Sequence, residues 1–245
     1  MLALVHFFIR SLIAEIQLTF KNKKNEFCMK NLYLMAIPVP IAIIFSVLIL
    51  QYDMLEFEKE EQENLSPIML IQNGSPVLGN ESAEITILEF GDYQCTFCYK
   101  FHKNTLPILK DEFIDSGKVK MVFKDFPLNG NDSIIAGEAA YCAEDQDRYW
   151  SYHNVIYKNW AGEKTGWINF QTLYQFAKNT NLDLREFTDC LSNHNYLNRV
   201  LNNEKYAIEI GIDATPTFLV FDDKKVIRII GAQPIEIFRQ VINEF

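Results

Sequence analysis

Cys95 and Cys98 stand one helical turn apart, directly after the apolar run Ile85-Thr86-Ile87-Leu88-Glu89-Phe90 and directly before a helical pattern. No other feature constrains the fold as much. A short run rich in β-branched residues reads as a buried strand, and the periodicity from Cys95 to about Ile114 predicts a helix. The thiols therefore lie at a strand-to-helix junction. There the unpaired N–H groups of the first turn and the helix macrodipole favour a thiolate at Cys95, exposed at the helix start. A pair so placed can close a disulfide and open it again.

The pattern downstream completes an α/β order. Lys118 to Phe123 alternates as a second strand, and a strand-helix-strand unit implies a parallel pair joined by a right-handed crossover. Residues 132–211 read as helical, with breaks near Gly162, Gly166 and Asn181. Thr217–Phe221 and Val226–Ile230 then read as an antiparallel hairpin about Asp222-Asp223-Lys224, and Pro234–Phe245 as a helix with proline in its first turn. A net charge of −9 disfavours nucleic acid as a partner.

In this order the chain resembles the DsbA-like thiol–disulfide oxidoreductases of the thioredoxin superfamily, over about residues 75–245. The resemblance rests on Glu89-Phe90-Gly91-Asp92-Tyr93-Gln94-Cys95 leading to Cys98, on Phe126-Pro127-Leu128, on Thr215-Pro216-Thr217-Phe218 and on Gly231. It implies an α/β thioredoxin-like fold with an inserted helical subdomain, and catalysis of disulfide exchange by Cys95 as nucleophile and Cys98 as resolving thiol. It also implies a cis proline at Pro216, which with Thr215 would present backbone to a bound substrate chain. The residues alone allow a strand-initiating trans proline as well.

Glu89 is a carboxylate in an apolar strand, six positions before Cys95. Buried, it would have a raised pKa and relay the Cys98 proton, a role the resemblance supports; the competing placement is an exposed strand edge. Related oxidases often carry proline or histidine between the cysteines. Thr96 and Phe97 stand there instead, which leaves the direction of exchange open. Phe90, Tyr93, Phe97, Tyr99 and Phe101 divide between core and a peptide-binding groove. Cys142 and Cys190 fall on helices of the insertion and are candidates for a structural disulfide, or for two separate buried thiols.

Residues 32–52 form an apolar stretch of the length that spans a bilayer, roughly 17–25 residues. Lys21, Lys23, Lys24 and Lys30 precede it, so residues 1–31 are expected on the cytoplasmic side and the rest outside. Gln51-Tyr52-Asp53 offers no small-residue cleavage site, which favours an uncleaved signal-anchor over a cleaved leader. Met29-Lys30 is a second plausible start, which would also remove Cys28, the odd member of five cysteines. Residues 53–65 make an acidic spacer, and residues 66–245 the catalytic domain.

The expectation is a single-pass cell-membrane protein with an extracytoplasmic domain that introduces disulfides into exported proteins. An unidentified membrane redox partner would reoxidise it, and no cofactor or metal is required. A reductase or isomerase is the rival within this chemistry. Metal binding or copper delivery through Cys95, Cys98 and His102 is a rival from another class, weakened by the missing fourth ligand. A peptide-binding domain with a static disulfide is the third.

Overall fold

Every residue of the strand Ile85–Gly91 is buried, because it is paired on both sides and covered on both faces. The computed structural model describes residues 67–245. Their elements run α1 (Pro67–Ile71), β1 (Ile85–Gly91), α2 (Thr96–Asn104), α3 (Leu106–Leu109), a π-helical turn (Lys110–Ile114) and β2 (Val119–Asp125). There follow α4 (Asn131–Glu144), α5 (Tyr149–Lys158), α6 (Phe170–Asn179), α7 (Leu184–Ser192), α8 (Leu197–Glu209), β3 (Thr217–Phe221), β4 (Val226–Ile230) and α9 (Ile235–Ile242). The strand order is β2-β1-β3-β4, with β1 parallel to β2 and antiparallel to β3, and β3 antiparallel to β4. This is the thioredoxin-like arrangement, with five helices, α4 to α8, inserted between β2 and β3.

Alternation along the strands feeds two cores. Ile85, Ile87, Val119, Met121, Phe218 and Val220 face the side covered by α2, α3 and α9. Leu88, Phe90, Val122, Leu219 and Phe221 face the side covered by α1 and by Ala207 of α8. Phe101 of α2 anchors the first side: its ring centroid lies 4.5 Å from Phe218 and 5.5 Å from Phe238 of α9. Each such buried phenylalanine contributes about 1.5–3 kcal/mol, and together they seat α2 on the sheet. A third cluster fills the insertion, where Ala136, Ala139, Ala140 and Ala143 let neighbouring helices approach α4 closely.

Two expectations need correction. The helix read from Cys95 to Ile114 is broken after Asn104, because Pro107 has no N–H to return to the carbonyl of Lys103 and its ring crowds that position. The chain continues through α3 into the wider turn, where the Asp115 amide donates to the Lys110 carbonyl at 2.8 Å. Pro234 is the N-cap of α9 rather than a member of its first turn. The proposed cytoplasmic segment, membrane span and acidic spacer at 1–31, 32–52 and 53–65 lie outside the described residues. Among the described residues no helix is long and apolar enough to cross a membrane.

Candidate active site

Cys95 is the N-cap of α2, with extended backbone at φ −63° and ψ 126°, and Cys98 lies one turn further in. Both carry free thiols. Cys95 had been expected at an exposed helix start, yet it is only 5% exposed. The insertion core and the loop before β3 close over it: Cys95 packs in the cluster that holds Tyr93, Ala140 and Tyr157. Its Sγ lies 3.3 Å from the Thr215 carbonyl. The Thr215–Pro216 bond is cis, and the Pro216 carbonyl accepts a 2.7 Å bond from the Gly231 amide, which ties this loop to the end of β4.

The two thiols differ sharply in acidity. A hydrogen bond from the Cys98 thiol, helped by the Thr215 side chain and the amides of Cys98 and Phe97, outweighs burial and brings Cys95 down to about 7. Burial pushes the Cys98 thiol well above the ordinary range, and its hydrogen bond to Cys95 and the Cys95 charge push it the same way. Near neutral pH Cys95 is therefore substantially thiolate while Cys98 stays protonated. That is an asymmetric pair suited to exchange, since the thiolate is the attacking form.

Glu89 is wholly buried at the centre of the sheet, so the exposed-edge placement does not hold. It faces α2, where His102 Nε2 lies 3.1 Å from Oε2 and 3.3 Å from Oε1. Burial raises the carboxyl well above the usual range and brings the His102 imidazole down to about 3, so the two form a neutral hydrogen-bonded pair. Glycine is required two residues on: a Cβ at Gly91 would fall 2.4 Å from the Phe123 ring and 3.1 Å from Glu89 Oε1.

His102 was a candidate metal ligand, but it turns to Glu89 instead and stacks on Tyr157 at 3.9 Å. Among the described residues no three His, Cys, Asp or Glu side chains converge as a metal site. His153 adjoins it, with ring centroids 4.7 Å apart, and accepts from or donates to Tyr93 Oη through Nδ1 at 2.8 Å. His102 Nδ1 and His153 Nε2 have no hydrogen-bond partner among the described residues. An aromatic and histidine layer therefore lies behind the thiols. Its members are scattered through the sequence, and no local spacing signals their convergence.

The turn before the cysteines is held from the insertion. Asp92 Oδ1 accepts from the Gln94 amide at 2.7 Å and the Ser133 hydroxyl at 2.6 Å, while Oδ2 accepts from the Asn129 amide at 2.7 Å. Tyr157 Oη donates to the Asp92 carbonyl at 3.2 Å, and Trp160 Nε1 to the Gln94 carbonyl at 2.8 Å. Of the five aromatics singled out, Phe90, Tyr93 and Phe101 are core, and Tyr99 stacks on Trp160 at 4.7 Å. Phe97 is 54% exposed, with Lys100 Nζ 4.9 Å from its ring centroid.

Cys142 on α4 and Cys190 on α7 form a disulfide, with Cα atoms 5.8 Å apart. A cavity of about 290 Å³ opens near Ile85, Gly117 and Asp222, at the end of β1 remote from the cysteines, and has no part in this site.

A family model described as Thioredoxin matches residues 72–244. The chain is 29% identical over 199 residues to Probable disulfide bond formation protein D of Bacillus cereus, covering 78% of this chain and 90% of that protein. It is 32% identical over 167 residues to Disulfide bond formation protein D of Bacillus subtilis, covering 63% of this chain and 70% of the relative. Oxidised BdbD from Bacillus subtilis has a similar structure, with TM-score 0.64 at 26% identity and coverage of 73% and 94% of the two chains. The alpha-DsbA1 of Wolbachia pipientis gives TM-score 0.64 at 27% identity, covering 74% and 94%.

Proposed function

The chain belongs to the thioredoxin family as a DsbA-like thiol–disulfide oxidoreductase, and on that premise we propose that it forms disulfides in exported proteins, with Cys95 as nucleophile and Cys98 as resolving thiol. The observation that carries the assignment of roles is the opposed acidity of the pair, Cys95 brought down to about 7 and Cys98 pushed up.

In the working cycle a substrate thiolate attacks Cys95 Sγ of the oxidised pair. The Cys95–Cys98 bond breaks, a mixed disulfide forms at Cys95, and Cys98 leaves as a thiolate. The neutral Glu89 carboxyl behind it supplies the proton that the buried Cys98 sulfur requires. A second substrate thiolate then attacks the substrate sulfur of the mixed disulfide and releases Cys95 as a thiolate, a good leaving group because its acidity is raised. Two substrate thiols have become one disulfide, and Cys95 and Cys98 are left reduced. The Thr215 and Pro216 backbone, against Cys95, aligns the substrate chain, and Phe97 gives it an apolar contact.

The names of the Bacillus relatives support the forming direction. In this proposal residues 32–52 anchor the enzyme in the membrane with its domain outside, and a membrane redox partner restores the disulfide. The reduction potential of the Cys95–Cys98 pair tests the direction. A value toward the DsbA end, near about −120 mV, is expected, and one near about −270 mV makes the enzyme a reductase. Protease protection of tagged spheroplasts tests the topology, and cleavage of the domain only after lysis would sink it.

A further inference from the structure

The insertion also delivers a charge to the active-site helix. Thr96 is the first residue of α2, and its amide donates to Glu163 Oε1 at 2.8 Å. Glu163 lies in the loop after α5, which is held in place by two bonds of its own. The Lys164 amide donates to Gln94 Oε1 at 2.9 Å, and Trp167 Nε1 donates to the Gly162 carbonyl at 2.8 Å. The Thr96 amide draws Glu163 below the usual carboxylate range, so it is ionised at neutral pH.

We propose that Glu163 is a positioning residue that restrains the oxidising strength of the Cys95–Cys98 pair, by placing its carboxylate on the amide adjoining Cys95. The amides of Phe97 and Cys98 favour the Cys95 thiolate. Thr96, the amide before them, is given to Glu163. Two anions thus share one positive helix end, and each weakens its hold on the other. The effect is one-sided, because a Cys95–Cys98 disulfide carries no charge for Glu163 to repel. Its charge raises the free energy of the reduced form alone, and so lowers the tendency of the disulfide to take electrons.

Lys164, beside Glu163, offsets this charge in part, and the other groups around Cys95 act on the thiols. Cys98 donates from α2, the Thr215 carbonyl faces Sγ from the loop before β3, and Tyr157 faces the thiol from α5. Glu89 acts on Cys98 from β1, Lys100 stands over the Phe97 ring at 4.9 Å, and Lys164 acts on Glu163 itself.

The inference rests on Cys95 being the reactive thiol, and the test separates the two. The full-length protein and its E163Q and E163K variants are equilibrated with glutathione, two glutathione thiols reducing the Cys95–Cys98 disulfide and leaving as glutathione disulfide. Thiolate ultraviolet absorbance is followed against pH in parallel. E163Q is expected to move the Cys95 titration about half a pH unit lower, the size of a single charge at a helix end. The equilibrium constant for disulfide formation should fall about twofold, ~9 mV toward oxidising. E163K should move both further the same way, and both differences should shrink in 1 M salt, where the Debye length is about 3 Å. Wild-type values of both quantities in E163Q would overturn the proposal, as would a change in E163A that E163Q does not show. A wild-type pair that fails to exchange with glutathione would instead break the underlying reading of Cys95.

Discussion

The two cysteine pairs of this domain share a chemistry and little else. Cys142 and Cys190 are 48 residues apart in sequence and are joined between two helices of the insertion. Cys95 and Cys98 are neighbours on one helix and stand as free thiols where the insertion meets the sheet. Closing a loop of that length removes enough chain entropy to contribute about 4 kcal/mol, against about 2 kcal/mol for the short loop. The distant pair is thus suited to hold the insertion together, and the near pair gains less by staying closed. Their surroundings sharpen the contrast. All four cysteines belong to one apolar cluster, but Cys95 and Cys98 also have a buried carboxyl, a loop carbonyl and helix amides arranged around them.

The division of labour can be broken most sharply at Cys95. Cys95→Ser is expected to lower oxidation of reduced ribonuclease and reduction of insulin by a thousandfold or more (order ~10³, the loss typical of an essential covalent group), while Cys142→Ala/Cys190→Ala keeps most of both. Retained turnover in Cys95→Ser would undo the contrast. The double alanine variant should lose about 2–4 kcal/mol in urea unfolding with the potential of the other pair unchanged. An unchanged midpoint would remove the staple role.

Behind the thiols, Glu89→Gln should slow formation of the mixed disulfide about 10²-fold, read by single-turnover quenching. It should also raise stability at pH 8 relative to wild type. The folded-state pKa of Glu89 is raised, so its stabilising contribution is complete below the unfolded value of 4.5 and is lost as pH climbs through the folded one. Equal unfolding midpoints for the two proteins at pH 8 would contradict the buried neutral acid.

The smallest effect concerns His102. Its folded pKa is depressed from 6.5 to about 3, so its contribution is present above 6.5 and is lost as pH falls toward 3. His102→Gln should flatten the acid limb of the stability curve by up to about 1.4 kcal/mol per pH unit, one proton's share. An unaltered acid limb would mean that His102 is not held neutral.

Much of this molecule was legible in one dimension. The cysteine spacing at a strand end, the carboxylate six residues before it and the hairpin near the C-terminus are local patterns. Strand alternation and helix periodicity follow from geometry that each segment carries by itself. The sequence by itself therefore determined the element order, the place of Cys95 and Cys98 at a helix start, and the presence of an acid on β1. Even the break after Asn104 was written in Pro107, although the periodicity ran past it.

Tertiary structure decided what those groups touch. His102 lies four positions beyond Cys98, yet its partner is Glu89 on another element, which no helical spacing specifies. Glu163 meets Thr96 across 67 residues, and Cys142 meets Cys190 across 48. The extent to which Cys95 is covered depends on the insertion and on the loop at Thr215, 120 residues away in the chain. Acidity, burial and pairing are sums over neighbours in space, and for this site most of those neighbours are distant in the chain.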